Sequence, residues 1–472
     1  MIFNSVAFLF FLFIVFSLYW LLDRKKQNLL LLVAGYVFYG WWDWRFLSLL
    51  LFSSSVDYVV GLQLGKTTAP RKRKLLLSFS LVTQLGLLAF FKYFNFFADS
   101  TAKLLTALGF EASFTTLNIV LPVGLSFYTF QTLSYTIDVY RRRCEPHRDL
   151  LEFMAFVSFF PQLVAGPIER ATNLLNQFAA DRAFDVEKAK DGLRQMLWGY
   201  FQKVVVADGL AEYVNWAYAP VGGVSGTQLL LGTYFFAFQI YCDFAGYTNI
   251  AIGCARLFGF DLMRNFAYPY FSRNIAEFWQ RWHISLSTWF RDYLYIPLGG
   301  NRGTLQRTIF NTLVVFTVSG LWHGANWTFV IWGLLNGLYF IPILLKRHFG
   351  GEERGNLRVA AGLRDLPAML LTFHLVLAAW VFFRAKDLSQ VGHIFGTIGQ
   401  GIDWVLLLRE GLKLKLLIAF LLTVEWLQRD KRHALELSSL PVPMRWLAYN
   451  ALLVGILWFG TFKDAPFIYF QF

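Results

Sequence analysis

Residues 6–22, VAFLFFLFIVFSLYWLL, run for 17 positions without a charge. A helix rises about 1.5 Å per residue, so this run covers most of a hydrocarbon layer roughly 30 Å thick. It therefore predicts a membrane helix. No basic residue precedes the run and no A-x-A-like site follows it, so it reads as a retained span rather than a cleaved signal peptide. Working outward, comparable runs recur at about 28–42, 46–64, 75–97, 117–137, 151–164, 192–210 and 229–258. Further runs follow at about 308–321, 328–345, 366–383, 412–427 and 446–462. The expectation is an all-α polytopic membrane protein of about 10–13 membrane helices.

Composition agrees. The 472 residues are 56% hydrophobic and 15% charged, with a mean hydropathy of +0.46, against about 25% charged in soluble domains. These values exclude a disordered chain, a disulfide-stapled secreted module and a collagen-like fibre. The net charge of +13 in a soluble protein would suggest nucleic acid. Here it fits basic loops on the inner face of a membrane, and the lipid bilayer, not nucleic acid, is the expected partner. Cys144, Cys242 and Cys254 show no C-x-x-C spacing and read as free thiols.

The basic clusters Arg24-Lys25-Lys26, Arg71-Lys72-Arg73-Lys74 and Arg141-Arg142-Arg143 are each separated by two apolar runs. That spacing puts them on one face, the cytoplasmic one, and predicts a periplasmic N-terminus in a bacterial cytoplasmic (inner) membrane. The parity count fails beyond Arg143, because residues 265–307 mix Trp, Arg, His, Ser and Gly with apolar residues. Such backbone is tolerated at membrane depth only where protein or a water-filled cavity surrounds it, so chemistry is expected there. No internal repeat or separate soluble module stands out, and residues 1–472 read as one transmembrane domain.

Seven histidines occur, and His147, His348 and His433 lie in basic loops where solvated or headgroup-contacting roles are expected. His374 and His393 lie in or beside apolar runs, where a neutral imidazole bonded to a carbonyl is the default. His323, in SGLWHGANW from Ser319, lies between two strongly apolar segments. Gly320 and Gly324 are spaced so that a helix would let another backbone approach the imidazole. An ionisable group at that depth marks either a functional site or a hydrogen-bonded core histidine. His283 follows EFWQRW from Glu277, where helical spacing sets Glu277 against Arg281 and Trp279 against His283. This reads as a short amphipathic or re-entrant helix, which spacing alone assigns to the membrane interface before a cavity floor. Asp243, in YCDFAGYTN from Tyr241, is costly in an apolar stretch unless paired. It could orient an imidazole, bind a substrate hydroxyl, or serve as a buried structural partner.

No H-E-x-x-H, G-x-x-x-x-G-K-[ST] or G-x-S-x-G motif occurs, and no metal site is expected. A histidine with no adjacent nucleophile suits general-base activation of an incoming hydroxyl, which can attack an activated acyl donor without a metal.

Five stretches together resemble the membrane-bound O-acyltransferase (MBOAT) family, in the bacterial branch that contains the alginate O-acetylation membrane protein. They are SFYTFQTLSYTIDVYR from Ser126, FPQLVAGPIER from Phe160, YCDFAGYTNIAIG from Tyr241, EFWQRWHISLSTWFRDYLYIPLGGNRG from Glu277 and SGLWHGANWTFVIWG from Ser319. Residues 382–385 (FFRA) and the FIYFQF segment from Phe467 are also similar to the family. The resemblance implies a helical bundle with short re-entrant helices around a central tunnel. It implies that His323 is the catalytic base and that His283 completes the site, with nearby donors, by stabilising developing charge. Asp243, Arg281, Trp322 and Asn326 fall in the same motifs and are carried as supporting or substrate-binding residues. Ala245, where the branch often has Ser, and Thr248-Asn249, where Ser-Asp is common, depart from the pattern.

For this branch the donor would be acetyl-CoA, a co-substrate rather than a bound cofactor, on the cytoplasmic side. Arg264, Arg273, Arg281, Arg291, Arg302 and Arg307 could supply counter-charge. The function expected is O-acetyl transfer to a cell-surface polysaccharide such as alginate, directly or through periplasmic acetyltransferase partner proteins. The alternatives are acyl transfer to teichoic acid or peptidoglycan, and a proton-coupled polysaccharide or lipid transporter, whose usual paired broken helices are not seen in this chain.

Overall fold

Apolar runs become helices here because only a helix satisfies all of its own backbone groups in lipid. The structure is a computed structural model and describes residues 1–110, 117, 119–164, 166–219, 223–350, 361–462 and 467–468. Ala165 in FPQLVAGPIER, residues 469–472 of FIYFQF, and parts of the polar stretches 98–116 and 347–365, which separate apolar runs and read as loops, lie outside the described residues. Among those described, all regular structure is helical, as expected.

Among the described residues, six helical stretches are long and apolar enough to cross a membrane: Arg24–Lys66, Pro70–Ala107, Gly226–Leu257, Trp327–Phe349, Leu363–Arg384 and Val442–Phe459. The chain is a multi-pass membrane protein. Other expected spans are shorter or broken. Val6–Tyr19 and Leu412–Leu427 have 14 and 16 residues. The run at 151–164 divides into Leu150–Val157 and Phe160–Leu163, with Pro161 in the first turn of the second, the helical position that best suits its missing N–H. The runs at 28–42 and 46–64 are joined by a tight turn at Trp44–Phe46.

Two compact units emerge from the contacts: residues 1–189 with 254–263, and residues 190–253 with 264–472. In the first, helices approach where side chains are absent. A Cβ on Gly35 would lie 2.0 Å from the carbonyl oxygen of Ser158, and one on Gly61 would strike the Tyr135 ring. Polar groups on these helices pair across them: buried Asp57 accepts from Ser80 Oγ at 2.5 Å and from Gln84 Nε2 at 2.9 Å. Arg73, from the second basic cluster, donates to the carbonyls of Leu64, Thr67, Val139 and Tyr140. It thereby serves carbonyls at the C-terminal ends of Leu47–Lys66 and Leu125–Tyr140.

The second unit carries both His283 and His323. In it Leu305–His323 and Trp327–Phe349 pack closely, meeting at glycines. A Cβ on Gly320 would lie 2.2 Å from the Phe329 oxygen, and one on Gly333 would lie 2.3 Å from the Phe316 oxygen. Gly320 therefore does what its sequence position suggests, admitting a neighbouring backbone, whereas Gly324 is the extended residue that ends the first helix.

Two glycines separate close packing from helix propensity. Gly35→Ala should destabilise the protein by about 1–3 kcal/mol through overpacking. Gly86→Ala, with open space around its Cβ, should be stabilising by about 0.4–1 kcal/mol. Thermal unfolding of both variants in detergent is the measurement, and equal shifts would contradict the packing argument.

Candidate active site

His323 is the last residue of Leu305–His323, and the sequence ends the helix there because Gly324 turns to extended backbone and Asn326 starts the next helix. Asn326 Oδ1 accepts from Thr328 N at 3.1 Å, and its Nδ2 donates to the Lys386 carbonyl at 2.8 Å. Asn326 is thus engaged as an N-cap and a brace. The His323 ring is buried among aromatics, with centroids 5.0 Å from Trp322, 5.1 Å from Trp332 and 5.4 Å from Phe383. Phe383 belongs to the FFRA stretch singled out in the sequence.

His283 reaches the same place from a different element. The expected helix over 277–287 is instead two short helices, Ile275–Arg281 and Ile284–Phe290. They break at Trp282, which is extended, and at His283, which is left-handed at φ 43° and ψ 54°. The cause is an outside strand of backbone. Ala267 N donates to the Arg281 carbonyl at 2.9 Å, and Ile284 N donates to the Asn265 carbonyl at 2.9 Å. Those bonds stand where helical bonds would otherwise continue, so the Trp279–His283 helical pairing expected from spacing does not form. Trp279 packs on Phe316 and Trp332. His283 is fully buried, and its ring lies 6.3 Å from His323 and 6.2 Å from Trp322. An aromatic chain runs behind the pair, with Trp282 5.0 Å from Trp380 and Trp380 5.8 Å from Trp332.

The Glu277–Arg281 pair forms as spacing predicts, at 2.8 Å. Glu277 also accepts from Arg273. Burial alone would raise the Glu277 pKa, but hydrogen bonds from Arg273 and the charges of Arg281 and Arg273 hold it below the usual carboxylate value. Arg281 Nη1 donates to the Ala267 carbonyl as well, so this side chain braces the backbone that breaks the helix. Arg291 pairs with Asp292. Of the six arginines considered for an anionic donor, three thus already face carboxylates.

Asp243 is placed away from direct service to an imidazole. Its Oδ1 accepts from Lys203 Nζ at 2.5 Å and its Oδ2 from Ile468 N at 2.7 Å. Lys203 also donates to Asp208 at 2.8 Å. The effect on the site runs through neighbours: Phe467, next to Ile468, packs on Phe244 and Tyr247, and Phe244 meets the His283 ring edge-on at 4.7 Å. The Asn249 departure is used. Its Nδ2 donates to Gln202 Oε1 while its Oδ1 accepts from Gln195, and an aspartate could not make the first bond.

Among the other histidines, His374 bonds the Leu370 carbonyl as expected. His433 does not fit the solvated role: it is 3% exposed and lies 2.9 Å from Asp191. His147 is half-buried against Glu152. Asn265 and Glu425 escaped the sequence reading. Glu425, inside an apolar run, accepts from Tyr241 Oη and Gln202 Nε2; a lone carboxylate in such a run was its only signal.

Comparison with known proteins now bears on this geometry. The model of the membrane-bound O-acyltransferase family matches residues 146–349. A probable alginate O-acetylase AlgI of Pseudomonas putida is 37% identical over an aligned length of 500 residues that spans 100% of both chains. The chain belongs to the membrane-bound O-acyltransferase family. This MBOAT protein is also 40% identical to the probable alginate O-acetylase AlgI of Azotobacter vinelandii, covering 86% of this chain and 79% of that one. It is 34% identical to a peptidoglycan O-acetyltransferase of Helicobacter pylori, covering 83% and 78%. It is an acyltransferase that uses an acyl donor.

The buried Lys203 network gives a stability test. Lys203→Met strands two carboxylates and should cost about 3–5 kcal/mol. Adding Asp208→Asn and Asp243→Asn should recover most of that loss in thermal unfolding. Undiminished stability in Lys203→Met would remove the anchoring role of Asp243.

Proposed function

We propose that this protein is an O-acetyltransferase of the bacterial cytoplasmic (inner) membrane that moves acetyl from acetyl-CoA toward a cell-surface polysaccharide of the alginate kind. The observation that carries this reading is the meeting of two buried imidazoles, His283 and His323, 6.3 Å apart in an aromatic surround. The names of the relatives support the acetyl group and the acceptor.

In the proposed step His323 accepts the proton of the acceptor hydroxyl as that oxygen attacks the thioester carbonyl. The C–S bond then breaks, the CoA thiolate takes a proton from the imidazolium, and an O-acetyl ester remains. Trp322, Trp332 and Phe383 exclude water around His323, which protects the thioester from hydrolysis and strengthens every polar contact made there. Arg264, Arg302 and Arg307 are the arginines of the central stretch proposed to meet the CoA phosphates. Residues 1–472 act as one MBOAT-type domain with the N-terminus on the periplasmic side, and acetyl leaves to the polysaccharide directly or through periplasmic acetyltransferase partners. The peptidoglycan O-acetyltransferase relative favours a second reading, in which the acceptor is peptidoglycan.

Membranes holding matched amounts of wild type or His323→Ala, given radiolabelled acetyl-CoA, test this. Label should enter polysaccharide or a partner protein with wild type and fall at least about 100-fold with His323→Ala, the lower range for a lost general base. Full transfer by His323→Ala would refute the mechanism, and label in peptidoglycan would select the second reading.

A further inference from the structure

Asn265 is fully buried, and its side-chain oxygen gathers three groups. Ser285 N lies at 3.2 Å, Ser285 Oγ at 2.9 Å and His283 Nδ1 at 3.1 Å. A peptide N–H only donates, so the amide atom facing Ser285 N is the oxygen, and the Asn265 amide cannot be turned around. An oxygen facing Nδ1 requires Nδ1 to carry hydrogen. The Ser285 hydroxyl does not offer an alternative donor to Nδ1, because it lies 3.5 Å from that nitrogen and 2.9 Å from the Asn265 oxygen. A neutral imidazole has one donor and one acceptor nitrogen, so Nε2 then presents a lone pair.

We propose that Asn265 is a positioning residue that locks His283 in the Nδ1–H tautomer, making its Nε2 a hydrogen-bond acceptor toward the substrates. This rests on the reading that His283 belongs to the active site. It reassigns what His283 does there. A neutral Nδ1–H ring has no Nε2 hydrogen to give to an oxyanion, so His283 orients a substrate O–H or N–H instead of stabilising developing negative charge. The same asparagine fixes where the ring is. Its backbone oxygen holds Ile284 N, and its side chain holds Ser285, so both residues after His283 are pinned and the left-handed turn cannot relax into helix.

The test uses full-length protein in lipid nanodiscs with 15N-labelled histidine, and His283→Gln to identify the His283 signals. Solid-state NMR should find a protonated, pyrrole-type Nδ1 and a pyridine-type Nε2 in wild type. Asn265→Ala should lose that signature, and acetyl transfer should fall about 10- to 100-fold, the effect that removing the group orienting a metal-bound histidine has. Asn265→Asp keeps an oxygen opposite Nδ1 and should restore the signature and at least about tenfold of the lost rate. An Nε2–H tautomer in wild type, or an unchanged signature in Asn265→Ala, overturns the proposal. Full transfer by Asn265→Ala with His283→Gln inactive overturns it too, while leaving the active-site reading intact. Full transfer by His283→Gln overturns that reading itself.

Discussion

Peptide groups removed from water must find partners within the protein, and at residues 265–285 that requirement shapes the site. A continuous helix would have met it with its own bonds and carried His283 round to a helical position. Here Asn265 and Ala267 take over two of those bonds. The break they impose turns Trp282 toward Trp380 and His283 toward His323. A left-handed histidine costs of order 1–3 kcal/mol, and the backbone pairing on both sides of it, with Arg281 bridging to Ala267, holds it in place.

His323 is placed by a different device, a close helix crossing. Gly320 and Gly333 let the Leu305–His323 and Trp327–Phe349 helices touch backbone to backbone, and the extended Gly324 and the Asn326 cap fix the turn between them. One imidazole is therefore set by rigid helix packing and the other by a braced irregular segment. Trp322 packs against both rings, with centroids 6.2 Å from His283 and 5.0 Å from His323.

Much of this is legible in the sequence because lipid imposes a simple pattern. The charge-free run at 6–22 and the histidine between two apolar segments at 323 each carry their meaning locally, whereas the break in the run at 151–164 goes unread although Pro161 stands in it. Glu277 and Arg281 pair as spacing foretells. What escapes is set by contacts between distant residues. Asn265 lies 18 positions before His283, with no periodicity linking them, and the end of the helix at Arg281 is dictated by Ala267 rather than by any breaker in EFWQRWH. His433 looks like a loop residue beside Lys431-Arg432, yet its partner Asp191 is 242 positions away. Asp243 announces that it needs a partner but not which one, and Lys203 is visible only once the fold brings it near.

The Asp243 carboxylate also has a history within the chain's own synthesis. Its first oxygen finds Lys203, 40 positions earlier, whereas its second waits for Ile468, 225 positions later. During translation the helix bearing Asp243 is made well before that second donor exists, so the support behind Phe244 and His283 cannot be completed until Ile468 has been added. A membrane acyltransferase of this build thereby keeps the backing of the His283 ring unfinished until 225 residues beyond Asp243 have been made.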